Sequence, residues 1–346
     1  MATRRYLFFV SQNYSYAILR PVQEQIIARG ESVAWYAHGD SIDRSYFREH
    51  ERVLNDLDEV FAYKPDAVLY PSNQAPTFLP GINVAVFHGF DAGKVDKKGN
   101  NDHFKIRNCF DLYCTQGPDS TQKFKALMPA PSHFNVIETG WCALDPLFSH
   151  PRVVNKRPKI LLCSTFSKKL SCAPHLLQQV KQISASGEWD WVVQFHPKMP
   201  KDIVEQYKSI QSEYLTYVET DDVIPLLAEA DLMVCDTSSV LIMFILQGKP
   251  VVTFNNIDPG DYLLDINDPE KLQETIRRGL SRPDTLMNAI NRFIQQQHPY
   301  QDGHSSSRLL DAVNETIDNQ HRLAKKPIDI IRQFKMRRKL GYWKFF

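Results

Sequence analysis

Short apolar runs alternate with longer amphipathic stretches along the chain, and this alternation constrains the fold more than any other feature. Parallel strands joined by crossover helices produce it, because each strand is buried on both faces and each helix on one. We therefore predict an α/β fold with parallel sheets. The predicted strands are Tyr6–Val10, Ser32–Tyr36, Ala67–Tyr70, Val84–Phe87, Leu112–Thr115, Asn135–Glu138, Ile160–Cys163, Trp191–Phe195, Leu232–Cys235 and Pro250–Phe254. The predicted helices are Ala17–Arg29, His175–Ser186, Asp222–Ala230, Ser239–Gln247, Pro269–Gly279, Pro283–Gln297 and Ser305–Gln320.

One stretch near the middle of the chain interrupts the alternation. Ser149–Lys159 is basic and contains Pro151 and Pro158, which is typical of a linker. The chain has 346 residues, enough for two domains that each bury a core. We predict α/β domains over residues 1–150 and 151–315, followed by a basic, aromatic tail over residues 316–346. Because parallel sheets bind ligands beyond the carboxyl ends of their strands, we expect the two domains to face a central cleft.

Composition and charge exclude several classes of protein. Lys and Arg number 41 against 40 Asp and Glu, so no overall positive charge favours nucleic acid as a partner. The longest apolar run is Val240–Leu246, whereas a membrane-spanning helix needs about 20 apolar residues. Met1–Val10 lacks the apolar core of a secretory signal, so we expect a cytoplasmic protein with reduced, buried cysteines. No Cys-x-x-Cys pair, Gly-x-Gly-x-x-Gly motif or P-loop is present, and we expect neither a metal site nor a cofactor.

The first candidate site follows the predicted strand Val84–Phe87, where His88 and Gly89 come directly after the apolar run. Histidine titrates near neutral pH and can therefore move a proton in a reaction. Glycine at the next position permits a tight turn or the close approach of a ligand to the backbone. The same pattern is also typical of a histidine that is hydrogen-bonded within an ordinary loop.

The second candidate site follows the predicted strand Trp191–Phe195 and consists of His196, Pro197 and Lys198. Proline restricts the direction of the turn, and the lysine adds a cation at the same edge of the sheet. The pair of histidine and lysine could face an anionic ligand. Alternatively, these residues only cap the last carbonyl groups of the strand.

The third candidate site is the polar turn Asp236-Thr237-Ser238-Ser239, which lies between a predicted strand and an apolar helix. Free backbone N–H groups and side-chain hydroxyls meet at such a helix N-terminus, and the helix dipole adds to their attraction for an anion. Phosphate is the ligand that this chemistry favours. The alternative is an ordinary N-cap, in which Thr237 or Ser238 caps the helix and no ligand binds.

The fourth candidate site precedes the predicted helix Ser305–Gln320. It contains Asp302, Gly303 and a run of serines, with Arg308 one turn into the helix. Small hydroxyl groups and a guanidinium could bind a second phosphate or a ribose. A capped loop with no ligand is the alternative.

Taken together, these sites resemble the CDP-glycerol glycerophosphotransferase family, which includes the teichoic acid primases and polymerases. The His-Gly-x-x-x-Lys element of that family is similar to the segment from His88 and Gly89 to Lys94. Further similar elements are Gly140–Asp145, His196-Pro197, Asp236–Ser239 with Lys249-Pro250, and Asp302-Gly303 with Arg308. The resemblance runs in the same order over residues 80–315, and it implies a GT-B fold of two Rossmann-like domains.

The resemblance also implies roles for the residues. His88 would be the general base of the first domain, with Gly89 and Lys94 on the acceptor side. His196 would act with it in catalysis from the second domain and, with Ser238 and Ser239, would hold the phosphates. The donor phosphates and nucleotide would be held by Lys198, Asp236, Thr237, Ser238, Ser239, Asp302, Gly303 and Arg308. The donor would be CDP-glycerol, the acceptor a hydroxyl of a cell-surface polysaccharide or a lipid-linked precursor, and CMP the product, with no metal or cofactor.

The chain departs from the family pattern at three places. Ser164–Ser167 stands where the family has a Pro-Thr-Trp-Arg-like loop, Thr237 replaces a tyrosine, and Met243 stands where an acid is expected. These departures leave two alternatives open. One is a GT-B glycosyltransferase or epimerase that uses a UDP- or CMP-sugar, and the other is a binding protein without catalysis.

The C-terminal segment Arg322–Phe346 combines nine basic residues with one acid, Asp329, and with several aromatic side chains. Basic and aromatic residues together are typical of proteins that bind the surface of an anionic membrane, here the inner face of the cell membrane. The alternative is a terminal helix that packs back across the first domain.

Overall fold

The computed structural model describes residues 3–39, 42–91, 101–151, 153–196, 198–220 and 222–344. The chain divides into two compact units. The first consists of Met1–Asp145 together with Gln297–Phe346, and the second of Pro146–Gln296. Within the described residues, each unit contains one sheet whose strands are all parallel.

The sheet of the first unit has seven strands in the order β3-β2-β1-β4-β5-β6-β7. The strands are β1 (Arg5–Val10), β2 (Ser32–Ala37), β3 (Val53–Leu54), β4 (Ala67–Tyr70), β5 (Ile82–Ala85), β6 (Leu112–Thr115) and β7 (Asn135–Glu138). Both faces of β1 and β4 are buried, which explains why these strands are continuous apolar runs. The strand order reverses between β1 and β4, as it does in a Rossmann fold.

The sheet of the second unit has six strands in the order β10-β9-β8-β11-β12-β13. The strands are β8 (Lys159–Ser164), β9 (Asp190–Phe195), β10 (Leu215–Tyr217), β11 (Leu232–Cys235), β12 (Val251–Phe254) and β13 (Leu264–Ile266). Here the order reverses between β8 and β11, so the second unit is also Rossmann-like. Ligands of such sheets bind at this reversal, beyond the carboxyl ends of the two strands.

Helices connect the strands and cover both sheets. They are α1 (Tyr14–Ala28), α2 (Leu57–Tyr63), α3 (Pro118–Ala126), α4 (Asp145–Ser149), α5 (Ala173–Ala185), α6 (Lys201–Ser209), α7 (Ile224–Glu229), α8 (Val240–Ile245), α9 (Leu272–Leu280), α10 (Asp284–Gln297), α11 (Ser305–Asp318) and α12 (Ile330–Leu340). Short 3-10 turns occupy Arg44–Tyr46, Asp102–Phe104, Cys142–Leu144, Pro269–Lys271 and Gln320–Arg322. None of the helices in the described ranges is long and apolar enough to cross a membrane.

The predicted α/β class and the parallel sheets are confirmed. All ten predicted strands exist, but the short edge strands β3, β10 and β13 were missed because two or three residues carry no recognisable period. The predicted helix Ser239–Gln247 forms only over α8, where Ile242 and Met243 are half-buried rather than fully buried. The six cysteines are buried, as predicted, and are free.

The two units differ from the predicted domains at three places. Residues 146–150 belong to the second unit, residues 297–315 belong to the first, and the predicted tail over residues 316–346 is part of the first unit. Helix α11 is tied to the first unit by polar contacts. Arg29 pairs with Asp311 at 2.7 Å, and the Tyr6 hydroxyl donates to Asn314 Oδ1 at 2.8 Å. These contacts join residues that are far apart in sequence, which a local pattern cannot reveal.

Candidate functional site

The polar edge of the second unit lies at the carboxyl ends of three neighbouring strands, β9, β8 and β11. His196 follows β9, the loop from Thr165 to Cys172 follows β8, and Asp236 follows β11. The predicted second and third candidate sites are therefore brought to one sheet edge. This edge includes the reversal between β8 and β11, where Rossmann-like sheets bind their ligands.

Asp236 is the hub of this edge, and its side chain has no exposed surface. Its carboxylate accepts hydrogen bonds from the Ser164 hydroxyl at 2.6 Å, from the Thr165 N–H at 3.0 and 3.1 Å, and from the Cys172 N–H at 3.0 Å. Burial raises the pKa of this carboxyl, while these hydrogen bonds oppose the rise. Asp236 therefore faces the protein and fixes the loop after β8. Its position does not support the predicted direct contact with a donor phosphate.

The rest of the turn is accessible. Thr237 and Ser238 are half-buried and Ser239 is exposed. The Thr237 hydroxyl oxygen accepts a hydrogen bond from the Ile257 N–H at 3.1 Å, and the Ser238 N–H donates to the Asp236 carbonyl at 3.0 Å. Ser239 is the N-cap residue of α8, but its side chain makes no capping hydrogen bond. The ordinary N-cap that was the alternative prediction is therefore not formed by a side chain here.

His196 lies beside an exposed aromatic ring that the sequence analysis did not identify. The rings of His196 and Phe166 are 4.5 Å apart between centroids, and Lys198 Nζ is 5.8 Å from the Phe166 centroid. Phe166 is 42% exposed. Its ring is therefore accessible to solvent at the sheet edge, with the His196 imidazole and the Lys198 ammonium beside it. Pro197, between the two polar residues, lies outside the described residues.

The hydrogen bond of His196 determines which ring nitrogen carries the proton. Its Nδ1 accepts from the Lys198 N–H at 3.0 Å, so the neutral imidazole holds its proton on Nε2. Burial, and then the charge of Lys198, lower the pKa of His196. At neutral pH the side chain is therefore a neutral hydrogen-bond donor rather than a general base.

His88 lies at the carboxyl edge of the first unit, just beyond β5, as predicted. Phe87 before it is buried and has a φ of 62°, which is unusual for a large side chain and turns the backbone sharply at this point. The exposed His88 ring stacks on Tyr14 with centroids 5.7 Å apart. Neighbouring atoms that displace water lower the pKa of His88, while Asp102 opposes this change. The imidazole is thus unprotonated at neutral pH and able to accept a proton.

Gly89, next to His88, is held through its carbonyl group, which accepts a hydrogen bond from Gln116 Nε2 at 2.7 Å. A Cβ atom at Gly89 would meet no described atom within 4 Å, so no packing within the described residues requires glycine here. Lys94, the third predicted acceptor-side residue, lies outside the described residues.

The fourth candidate site is in the first unit and is an internal clamp. Arg308 pairs with both carboxylate oxygens of Asp302 at 2.8 and 2.9 Å, and its Nε donates to the Thr139 carbonyl at 3.0 Å. The guanidinium lies 4.1 Å from the centroid of the Tyr300 ring. The hydrogen bonds from Arg308 lower the pKa of Asp302 to about 2. Because protein groups already occupy both side chains, this geometry does not support the predicted binding of a nucleotide by Asp302, Gly303 and Arg308.

The N-terminus of α11 is also occupied. The Asp145 carboxylate accepts hydrogen bonds from the N–H groups of Ser305 at 2.9 Å and Ser306 at 2.7 Å. A protein carboxylate thus takes the place that the prediction gave to a phosphate. Gly140, with a φ of 76°, allows its backbone to lie close to Ser305, because a Cβ atom at this position would overlap the Ser305 hydroxyl. The Gly140–Asp145 element therefore has a structural role.

Within the described ranges, no group of three or more His, Cys, Asp or Glu side chains is placed to hold a metal ion. The residues missed by the sequence analysis are Tyr14, Phe166 and Gln116. Tyr14 begins a helix and Gln116 lies in a loop, neither with a motif of its own. Phe166 lies in the loop Ser164–Ser167, which was compared with the family pattern but not proposed as a site residue. Only proximity to a predicted strand end could have identified them.

The two Rossmann-like sheets, each with its polar groups at the carboxyl edge, define the fold class as GT-B, and the predicted fold class is confirmed. Residues 180–315 match the family model described as CDP-glycerol:poly(glycerophosphate) glycerophosphotransferase. The predicted family resemblance is thereby confirmed over this segment, and with it the prediction of a transferase. No curated protein sequence matches the chain significantly.

Solved structures resemble the chain over most of its length. A Listeria monocytogenes protein provisionally assigned as a UDP-N-acetylglucosamine 2-epimerase is 15% identical, with a TM-score of 0.66 over 95% of this chain and 100% of that one. The wall teichoic acid polymerase TagF is 13% identical, with a TM-score of 0.64 over 91% and 90%. The S. aureus MnaA–UDP complex is 13% identical, with a TM-score of 0.61 over 95% and 100%. At these identities the similarity establishes the fold alone.

Proposed function

We propose that the chain transfers glycerol phosphate from CDP-glycerol to a hydroxyl group of a cell-surface polysaccharide or of its lipid-linked precursor, and that it releases CMP. The observation that carries this proposal is the family match over residues 180–315, since this segment contains His196 and the Asp236–Ser239 turn. The similar polymerase TagF has a structure determined after a soak with CDPG. We propose that the reaction takes place in the cytoplasm.

On the donor side, we propose that His196 donates its Nε2–H to a diphosphate oxygen. The hydrogen bond between its Nδ1 and the Lys198 N–H supports this role, because it leaves the proton on the outward nitrogen. Lys198 would add a positive charge beside the phosphates. The hydroxyls of Ser238 and Ser239, which cap no helix, would complete the binding of the diphosphate.

On the acceptor side, we propose that His88 is the general base, with Gly89 and Lys94 contacting the acceptor. Its lowered pKa supports this role, because a base must be unprotonated at the working pH. The acceptor oxygen would form a bond to the phosphorus that carries glycerol, while the bond from that phosphorus to the bridging oxygen breaks. CMP leaves with the bridging oxygen, and the acceptor proton passes to His88.

The test of this proposal is the release of CMP from CDP-glycerol by the wild-type chain and by His88→Ala. A general base contributes about 10²–10⁴-fold to the rate, so the variant should lose turnover by that factor. The increase in melting temperature caused by CDP-glycerol should remain, because His88 is not proposed to hold the donor. His321→Ala changes an exposed histidine elsewhere and should behave as wild type. Unchanged turnover in His88→Ala would refute the role of His88.

A nucleotide-sugar donor is the second candidate function. The loop Ser164–Ser167 lacks the arginine of the family pattern, and MnaA, whose fold is similar, was solved with UDP. Thermal shift with CDP-glycerol, CDP-ribitol, CMP-sugars and UDP-sugars separates the two candidates. Stabilisation by UDP-sugars alone would favour a glycosyltransferase or an epimerase. Stabilisation by CDP-glycerol without CMP release with any acceptor would indicate a binding protein.

A further inference from the structure

The end of the chain is attached to the first unit by one group of contacts. Tyr342 is buried and its ring stacks on Phe61 and Phe78, with centroid distances of 5.1 and 6.2 Å. Lys344 Nζ pairs with both oxygens of Asp58 at 2.7 and 2.8 Å, and the Arg337 guanidinium lies 4.2 Å from the Phe78 centroid. The packing that the sequence analysis gave as one alternative is therefore present at this end of the segment.

Large apolar side chains just before these contacts remain in solvent. Ile330 is 76% exposed, Ile331 is 69% exposed and Phe334 is 55% exposed, all on α12. Ile328 and Trp343, which flank the helix, are 78% and 45% exposed, and the Trp343 ring contacts Phe334 with centroids 5.2 Å apart. Such a cluster of exposed large apolar side chains marks an interaction site.

Basic side chains continue the same surface. At 100° per residue, Ile330, Phe334 and Ile331 fall within one 100° sector of the helix. Arg338 falls within that sector, while Lys335 lies about 40° and Lys339 about 80° beyond its edge, so the three bases extend the surface to about half of the helix circumference. All six residues are exposed. We call this surface the α12 face; it consists of Ile330, Ile331, Phe334, Lys335, Arg338 and Lys339.

The acid at the N-terminus of α12 is bound by groups of the same helix. Asp329 Oδ1 accepts from the Arg332 N–H at 2.8 Å as the N-cap of α12, and its Oδ2 pairs with the Arg332 guanidinium at 3.1 Å. In a symmetric dimer that pairs this surface with itself, the second copy would bring a like positive charge against the α12 face. Nucleic acid would use the cations but leave the isoleucines without apolar contacts. An anionic bilayer satisfies both, since cations meet lipid phosphates while apolar side chains enter the boundary with the acyl chains.

We propose that the α12 face binds the surface of an anionic membrane. Ile330, Ile331 and Phe334 enter the boundary between headgroups and acyl chains, and Lys335, Arg338 and Lys339 contact the lipid phosphates. The contacts of Tyr342 and Lys344 hold the helix on the first unit, so the membrane would carry the whole unit. This proposal does not rest on the donor or on the reaction.

Flotation of the full-length chain with phosphatidylcholine vesicles, with and without phosphatidylglycerol, tests the proposal. The wild type should float only with the anionic vesicles. Ile331→Ser with Phe334→Ser should lower binding at least tenfold, because the apolar contacts are lost. Arg338→Gln with Lys339→Gln should lower it about fivefold for each base removed, and less at high salt. Val153→Ser with Val154→Ser, which are 43% and 94% exposed on the second unit and lie outside the candidate site, is the matched control.

Two outcomes would overturn the proposal. One is equal flotation of the wild type and the Ile331→Ser, Phe334→Ser variant. The other is a dimer in gel filtration that this variant dissociates, with no binding to vesicles. All variants change exposed residues, so their melting temperatures should equal that of the wild type. CMP release with a water-soluble acceptor should be unchanged in them, so failure of the membrane proposal and failure of the proposed function give different results.

Discussion

Replacing Asp236 by alanine perturbs the hub of the second unit without touching the groups proposed to meet the donor. The carboxylate is fully buried and receives hydrogen bonds from the Ser164 hydroxyl and from the N–H groups of Thr165 and Cys172. Ser164 ends β8, Thr165 lies on the loop that follows, and Cys172 is the N-cap of α5. Among the described residues, Asp236 is the only one whose side chain joins this loop to the end of β11. Asp236→Ala removes that connection.

The magnitude follows from the groups that would lose their partner. Ser164 can keep its hydrogen bond with the Ser171 hydroxyl at 2.8 Å, so its cost is small. The two backbone N–H groups would be left unsatisfied, at about 1–2 kcal/mol each. The free energy of unfolding should therefore fall by ~2–4 kcal/mol. For a unit of this size, 1 kcal/mol shifts the melting temperature by ~2–4 °C, so the second unit should melt ~4–16 °C earlier.

The assay is thermal unfolding of the full chain, combined with CMP release at a temperature where all variants are folded. Asp231→Ala is the matched control, because Asp231 precedes β11 and its Oδ2 accepts from Asn155 Nδ2 and the Lys159 N–H, both at 2.8 Å. Asp231 lies at the amino ends of β8 and β11, which is the opposite edge of the sheet. Both variants should be less stable, but only Asp236→Ala should also lose activity, because only its loop carries Phe166 beside His196.

Comparing the pH dependence of stability in the wild type and in Asp236→Asn gives a second test of this role. Burial raises the pKa of Asp236, so the folded state holds the proton more tightly than the unfolded state. The contribution of this group to the free energy of unfolding therefore grows as pH falls through the window between the two pKa values, and shrinks as pH rises. The wild type should gain stability relative to Asp236→Asn on acidification. A melting temperature of Asp236→Ala within 2 °C of wild type, or an equal loss of activity in Asp231→Ala, would refute the reasoning.

Two further substitutions in the first unit test the ion pair between Asp302 and Arg308 and the packing of Gly140 against Ser305. The lowered pKa of Asp302, about 2, means that its ion pair with Arg308 stabilises the fold above pH ~4 and is lost as pH falls toward 2. Since the carboxylate is 49% exposed, Asp302→Asn should cost ~1 kcal/mol or less at pH 7 by chemical denaturation, and the difference from wild type should vanish in acid; a difference that persists at low pH would contradict this. Gly140→Ala should cost ~2–4 kcal/mol, because it combines a left-handed backbone with overlap on Ser305. Gly30→Ala, with a φ of 70° and open space, should cost only ~1 kcal/mol, and equal costs would contradict the packing argument.

His88, His196 and Asp236 show how much of the candidate site could be predicted from the sequence. His88 and His196 were predicted because each follows a largely apolar strand. Parallel strands present the residues that follow them at the carboxyl edge of their sheet. Asp236 belonged to an equally clear motif, yet its carboxylate turns inward. No local pattern distinguishes an exposed acid from a buried one that binds backbone N–H groups of another loop.

The sequence by itself determined the two parallel sheets, the positions of the long buried strands and the polar strand ends, because strand burial and helix amphipathicity are local periodicities. Only the tertiary structure decided what occupies each polar position. The N-terminus of α11 is capped by Asp145, and Arg308 is paired with Asp302, through contacts that depend on how distant segments pack. It also decided that Tyr342 is buried while Phe334 remains exposed. Hydrogen bonding and burial across long sequence separations are properties of the folded chain, and composition does not encode them at a single residue.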